Sequence, residues 1–135
     1  IIFIFIIKMP EIIRDTPLDD FKNLILNLEP NKVIILRFTA EWCQPCKNID
    51  GICNNYFNLC NNNITPVVVD VEETIDLYML YKRYKMLNGI PALYAYYGNN
   101  IQEPWYAPND SVNTGENKQV MDFFNRCSTH INNLK

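Results

Sequence analysis

The chemically most informative stretch of this chain is Phe38 to Lys47, FTAEWCQPCK, in which Cys43 and Cys46 are separated by two residues. The pair directly follows a β-prone run, Val33 to Phe38, and opens a segment with helical periodicity. That location has a chemical consequence. Unpaired N–H groups and the positive end of the helix dipole favour an anion at the first turn, so Cys43 is expected to ionise more readily than a free thiol. A thiolate attacks a disulfide, whereas a thiol hardly does. Cys46, one helical turn later, is expected to be more buried and close enough to attack the mixed disulfide that Cys43 forms. Its attack would release the reduced product and leave Cys43 and Cys46 joined.

The other sulfurs call for less. The chain has five cysteines, an odd number that leaves at least one without an internal mate. Cys46, Cys53 and Cys60 recur every seven residues, near one helix face. Core packing explains Cys53, Cys60 and Cys127, since free cysteine behaves as a small apolar residue; a regulatory disulfide is the alternative for the first two. Cys53, Cys60, Cys127 and His130 show no second close pair, so a four-ligand zinc site is not expected, and no metal is assigned. His130 reads as a surface residue of the last helix.

The elements that must position the cysteine pair follow from periodicity and punctuation. Glu11 to Arg14 is a short strand, and Asp15, Thr16 and Pro17 begin a helix carrying Leu18, Phe21, Leu24, Ile25 and Leu28. A nearly continuous apolar strand, Val33 to Phe38, precedes a helix from Cys43 towards Cys60, with Gly51 as a candidate bend. Thr65 to Val71 is a second buried strand and Ile75 to Lys85 an amphipathic helix whose Tyr78, Tyr81 and Tyr84 form a packed stripe. Pro91 to Tyr97 is a strand with proline at its first residue, the permitted place. After the turn at Gly98 to Asn100, Ile101 begins a return that Pro104 limits to an edge. Glu103 to Gly115 reads as a long polar loop, in which Trp105 and Tyr106 are either a hydrophobic plug or a grip on substrate. Val120 to Leu134 supplies the last helix. Strands alternating with helices argue for a layered α/β domain.

Composition bounds the rest. The chain has 135 residues, 48% hydrophobic and 20% charged, which suits one compact domain over residues 11–135. Twelve basic against fifteen acidic residues give a net charge of −3, so the long-range field that a phosphate backbone would require is absent and nucleic acid is not expected as a partner. The abundance of Asn, Ile, Tyr and Phe fits an A+T-rich source genome. The apolar run Ile1 to Ile7 within an N-terminal extension, residues 1–10, is too short for a membrane span, which takes about 20 residues. It lacks the flanks of a signal peptide. Three readings stay open for it: an extra edge strand, the remnant of an upstream anchor, or sequence preceding a start at Met9.

Two motifs together, AEWCQPCK and GIPALYAYYGN (Gly89 to Asn99), resemble the thioredoxin family, well over Glu11 to Asn100 and loosely beyond. The resemblance implies the thioredoxin fold, a central mixed β-sheet flanked by helices. It makes Cys43 the attacking nucleophile, Cys46 the resolving cysteine, Trp42 an indole packed beside the site, and Pro91 a cis-proline facing the sulfurs. The backbone of Ile90 would pair with substrate as a short strand. It further implies a monomeric thiol-disulfide oxidoreductase acting on protein disulfides, with no cofactor beyond its own dithiol. A thioredoxin-type reductase would recharge it in a reducing cytosol; a virion or an oxidising compartment is the alternative if the N-terminal run is a targeting segment.

The chain also departs from the family. Arg37 stands where a buried aspartate is usual, and it either favours thiolates from beneath the site or, the preferred reading, pairs with an acid such as Asp70 or Glu72. Gln44 replaces a glycine between the cysteines, beside Pro45, at a position that tunes redox poise. Gly51 replaces a kinking proline, and Val68 an expected lysine. The long loop leaves a glycine next to the active site without a counterpart. Protein disulfide reductase is the favoured direction, with an oxidase or isomerase running the same chemistry, and a non-catalytic interaction module, as the alternatives; the potential of the Cys43–Cys46 pair decides the direction.

Overall fold

The computed structural model describes residues 11–134. The N-terminal run and its three readings, and Lys135, lie outside the described residues. Ten elements follow one another: β1 (Ile13–Arg14), α1 (Leu18–Leu26), β2 (Val33–Thr39), α2 (Gln44–Asn48), α3 (Asp50–Leu59), β3 (Ile64–Asp70), α4 (Ile75–Arg83), β4 (Ala92–Tyr97), β5 (Asp110–Val112) and α5 (Asn117–Asn133). They build one five-stranded sheet in the order β1-β3-β2-β4-β5. β1 and β2 run parallel to β3, whereas β4 is antiparallel to β2 and to β5.

The two apolar faces of the sheet follow from strand alternation. Ile34, Leu36 and Phe38 pack with Phe21 and Ile25 of α1 and with Leu77 and Tyr81 of α4. Val33, Ile35 and Leu93 face the other way, onto Ile49, Cys53 and Phe57 and onto Val120, Phe123 and Phe124 of α5. β2 is buried over Val33–Phe38 because both layers cover it, which is what its unbroken apolar sequence predicts. Arg37 is the exception, a charge at a position whose alternation directs it towards the α3 and α5 layer.

Helix ends show local chemistry that periodicity does not. The Asp76 carboxylate, in the first turn of α4, accepts from the Leu18 N–H at 3.0 Å and so caps α1 across the layer. The expected long helix from Cys43 to Cys60 is two helices, and the break falls at Ile49 rather than at Gly51, whose surroundings are open. At the break the Cys46 carbonyl accepts from the Ile49 N–H at 3.3 Å, a tight three-residue step, and from the Arg37 guanidinium at 3.0 Å.

The C-terminal half differs more from expectation. Ile101 does not begin a strand; a single 3₁₀ turn at Gly98–Asn100 precedes it. The edge strand is β5, inside the segment read as a loop. Asn109 anchors it by donating its N–H to the Ala95 carbonyl, accepting from the Tyr97 N–H and donating from Nδ2 to the Asn100 carbonyl, all at 2.8 Å. Trp105 and Tyr106 are a plug: Trp105 meets Phe21 at 6.3 Å between ring centroids, and Tyr106 stacks on Tyr84 at 4.9 Å. Of the tyrosine stripe only Tyr81 is fully buried, and it shares a short hydrogen bond with Tyr96. His130 is half-buried and stacked on Tyr97 at 3.8 Å, not a free surface residue, and burial lowers its pKa.

Cys53 and Cys127 are buried in the second layer, and Cys60 is half-buried with its sulfur 3.5 Å from the Phe57 carbonyl. Among the described residues no helix is long and apolar enough to cross a membrane.

Two predictions come from this packing. A Cβ on Gly98 would lie 1.8 Å from the Glu29 carbonyl oxygen, so backbone must move to admit it. Gly98→Ala should lower stability by about 1–3 kcal/mol, read as a lower urea midpoint; an unchanged midpoint contradicts the close approach. Burial raises the thiol pKa of Cys53 and Cys60 from 9.0 to about 11 and that of Cys127 to about 12. Unfolded thiols release protons near 9.0 while the folded ones hold them, so stability is full below that pH and falls as pH rises towards 11–12. Cys127→Ala should flatten part of that alkaline decline in urea titrations at several pH values, and a slope identical to wild type would contradict it.

Candidate active site

The sheet order puts the end of β2 beside the start of β4, since Phe38 pairs with Ala92. The turn that leaves β2 carries Trp42 and Cys43, and the turn that enters β4 carries Ile90 and Pro91. The two sequence motifs thus meet in space.

Cys43 and Cys46 are joined as a disulfide with their Cα atoms 5.3 Å apart, within the ordinary range for such a bridge. Cys43 occupies the N-cap of α2, and its sulfur accepts from the Cys46 N–H at 3.2 Å. It keeps 5% of its surface exposed and Cys46 keeps none. Cys43 is thus the outer sulfur and Cys46 the inner one, the order of burial expected from sequence. Pro45 stands at the second helical position, where an N–H would be unpaired anyway. Gln44 is exposed, and its amide donates to Asn48 Oδ1 at 3.0 Å.

The Ile90–Pro91 peptide is cis, as the resemblance implies, and the Ile90 carbonyl oxygen lies 3.9 Å from the Cys43 sulfur. Among the described residues, neither the N–H nor the C=O of Ile90 has a backbone partner. The half-exposed Ile90, with no backbone partner of its own, therefore borders the Cys43 sulfur.

Trp42 sits next to Cys43 in the turn that leaves β2, and its indole is exposed. It is 64% exposed, and its N–H donates to Glu72 Oε1 at 2.5 Å. Among the described residues neither Glu72 nor Asp70 pairs with Arg37; the Asp70 carboxylate accepts from the Glu72 N–H at 2.8 Å, and the Asp70 backbone N–H donates to the Asp15 carboxylate at 2.9 Å. Arg37 instead pairs with Asp50, at 2.6 Å, while the same guanidinium nitrogen donates to the Cys46 carbonyl. The two alternatives drawn from sequence are both partly right: the cation is paired, and it lies beneath the site. The partner differs because strand alternation turns Arg37 towards the break between α2 and α3, where Asp50 starts a helix. Arg37 is 3% exposed and Asp50 48%, so one end of the pair is dry and the other wet. An open hollow of about 400 Å³ beside them is lined by Arg37, Glu41, Lys47, Asp50 and Asp70.

Three residues around the site escaped sequence reasoning. Asp50 is one. Gly115 is the second: a Cβ there would stand 2.9 Å from the Pro45 carbonyl oxygen and Cβ, so it supplies the close glycine that the resemblance had left unassigned. The third is Asn113, whose amide donates to the carbonyls of Gly89 at 3.0 Å and Pro91 at 2.6 Å. The glycine in a polar segment was the available signal; the asparagine gave none.

Comparison with known proteins agrees with this geometry. The thioredoxin family model matches residues 13–126. Thioredoxin H4 of Arabidopsis thaliana is 40% identical over 45 residues, 33% of this chain and 38% of that protein. The thioredoxin of Buchnera aphidicola is 28% identical over 74 residues, 55% of this chain and 65% of its own length. The chain thus spans less than two thirds of either curated relative. Among solved structures, reduced thioredoxin pre-protein of Schistosoma mansoni superposes with a TM-score of 0.63 at 20% identity, covering 86% of this chain and 97% of that one. The five-stranded mixed sheet flanked by helices is the thioredoxin fold, and the chain belongs to the thioredoxin family.

Proposed function

We propose that this protein is a thiol-disulfide oxidoreductase acting on protein disulfides, working mainly as a reductase. The observation that carries the reading is the Cys43–Cys46 bridge at a helix mouth, with the outer sulfur hydrogen-bonded to a first-turn N–H and bordered by the unpaired Ile90 backbone. In the dithiol state that N–H stabilises a Cys43 thiolate.

The reaction then balances in two exchanges. The Cys43 thiolate attacks a substrate disulfide, forming a mixed disulfide and expelling one substrate thiolate, which takes up a proton. Cys46 gives up its proton and attacks the Cys43 sulfur, closing the Cys43–Cys46 bridge and expelling the second substrate sulfur as a thiolate, which is protonated in turn. Two electrons pass to the substrate; of the two protons its thiols take up, one balances the proton lost by Cys46 and the other comes from water. Return to the dithiol takes two electrons from a dithiol-bearing reductase, the partner class this reading requires. Trp42, Ile90 and Pro91 border the substrate, and its main chain lies along Ile90 as an added strand. Three further unbridged cysteines suit a thiol-preserving compartment such as the cytosol. The dithiol itself is the only redox centre in this scheme.

Arg37 tunes the pair together with Gln44 and Pro45. A buried guanidinium beneath the dithiol favours sulfur anions, so it stabilises the reduced form and makes the bridge more oxidising, while Asp50 moderates the effect.

Reduction of insulin disulfides tests the assignment. Cys43→Ser should fall to the uncatalysed rate, and Cys46→Ser should accumulate a mixed disulfide, seen as an added substrate mass that dithiothreitol removes. Equal activity of wild type and Cys43→Ser would discard the enzyme in favour of a binding module. In a glutathione buffer, Arg37→Gln should shift the potential of the pair downwards by roughly 10–30 mV. Asp50→Asn should shift it upwards, and shifts of the same sign would refute the electrostatic role.

A further inference from the structure

Asn113 follows β5 directly, and the β4–β5 ladder, in which Val112 lies opposite Leu93, carries it alongside the turn that enters β4. Its side-chain nitrogen is within hydrogen-bond distance of two carbonyl oxygens, those of Gly89 and Pro91. Two acceptors at one atom require the amide nitrogen there, so the orientation of the side chain is fixed by its surroundings. The residue between those two carbonyls is Ile90. Its own N–H and C=O have no backbone partner among the described residues, and its carbonyl oxygen borders the Cys43 sulfur.

We propose that Asn113 is a positioning residue for polypeptide substrates: it ties down the carbonyls on either side of Ile90, so that the Ile90 peptide groups are presented to an extended substrate segment at the reactive sulfur. This rests on the oxidoreductase reading above and adds to it a residue that touches neither sulfur nor substrate. The physical reason is preorganisation. Gly89 has a φ of +140°, a region open to glycine, and with no side chain of its own it cannot hold the turn. Without Asn113 the Ile90 backbone would sample several orientations, and a substrate strand would have to order it on binding. The side chain is exposed, so its removal takes away two hydrogen bonds without opening a cavity.

The role predicts a division by substrate type. A protein disulfide uses the Ile90 backbone; a small aromatic disulfide such as dithionitrobenzoate needs only the sulfur. In the full chain, Asn113→Ala should raise KM for insulin roughly three- to tenfold, with kcat, the dithionitrobenzoate rate and the glutathione equilibrium of Cys43–Cys46 within about twofold of wild type. Asn113→Asp keeps the shape but sets a carboxylate against two carbonyls, and should raise KM at least as much. Asn113→Ser, which retains one donor, should fall between Ala and wild type. An unchanged insulin KM in the Ala and Asp variants, or equal losses on both substrates, overturns the positioning role. If the wild type reduces neither substrate, the oxidoreductase reading fails and this proposal with it; a wild type active on both isolates the test to Asn113.

Discussion

The pairing of Phe38 with Ala92 is the constraint on which the site depends. A strand that ends at Thr39 and an antiparallel neighbour that begins at Ala92 bring the outgoing and incoming turns to one edge of the sheet. No side chain needs to reach across the molecule to bring sulfur and proline together. Slipping that register by one residue would turn Ile35 and Leu36 to opposite layers, so the hydrophobic partition between α1/α4 and α3/α5 locks the same geometry that aligns the chemistry. Fold stability and site geometry are in this sense one requirement.

Within that frame Arg37 is costly in itself, because a cation in a dry layer loses its hydration. The structure offsets this with a carboxylate whose other side faces water and with the Cys46 carbonyl, which accepts from the Arg37 guanidinium as well as from the Ile49 N–H. A carbonyl oxygen has two lone pairs, so one of them serves the tight step at Ile49 and the other the cation. A charge pair that is dry at one end and wet at the other also keeps a positive field near the inner sulfur, which a fully buried pair would largely cancel.

The elements were legible wherever burial imposes a period. β2 reads as a covered strand because Val33 to Leu36 are apolar without interruption, and α5 shows itself through Val120, Phe123, Phe124, Cys127 and Ile131. The meeting of the two motifs was legible too, because a cysteine pair after a buried strand and a proline before another are local patterns. Partnerships between distant side chains leave no such trace. Several acids could pair with Arg37, and nothing local in the sequence shows that its side chain meets Asp50, at the break between α2 and α3, and not Asp70 or Glu72. β5 has three residues, Asp110, Ser111 and Val112, too few and too polar to show alternation. Its position is set by Asn109, whose three hydrogen bonds become visible only once β4 is in place.

The polar segment from Glu103 to Gly115 then has a physical account that its composition hides. Near its start, Trp105 and Tyr106 close the α1 and α4 layer, with the Tyr106 carbonyl accepting from the buried Tyr96 hydroxyl at 2.7 Å. At its end, Asn113 and Gly115 meet the turn before β4 and the first turn of α2. Between them Asn109 fastens the chain to β4. The Asn amides are present because turns expose carbonyls that no strand N–H can reach, and a short side chain with two donors is the group that fits. A tight hairpin in place of this segment could preserve the ladder with β4. It could not, at the same length, both plug one layer and hold the Ile90 turn, so the extra residues are what couple core packing on one side of the sheet to the rim of the reactive sulfur.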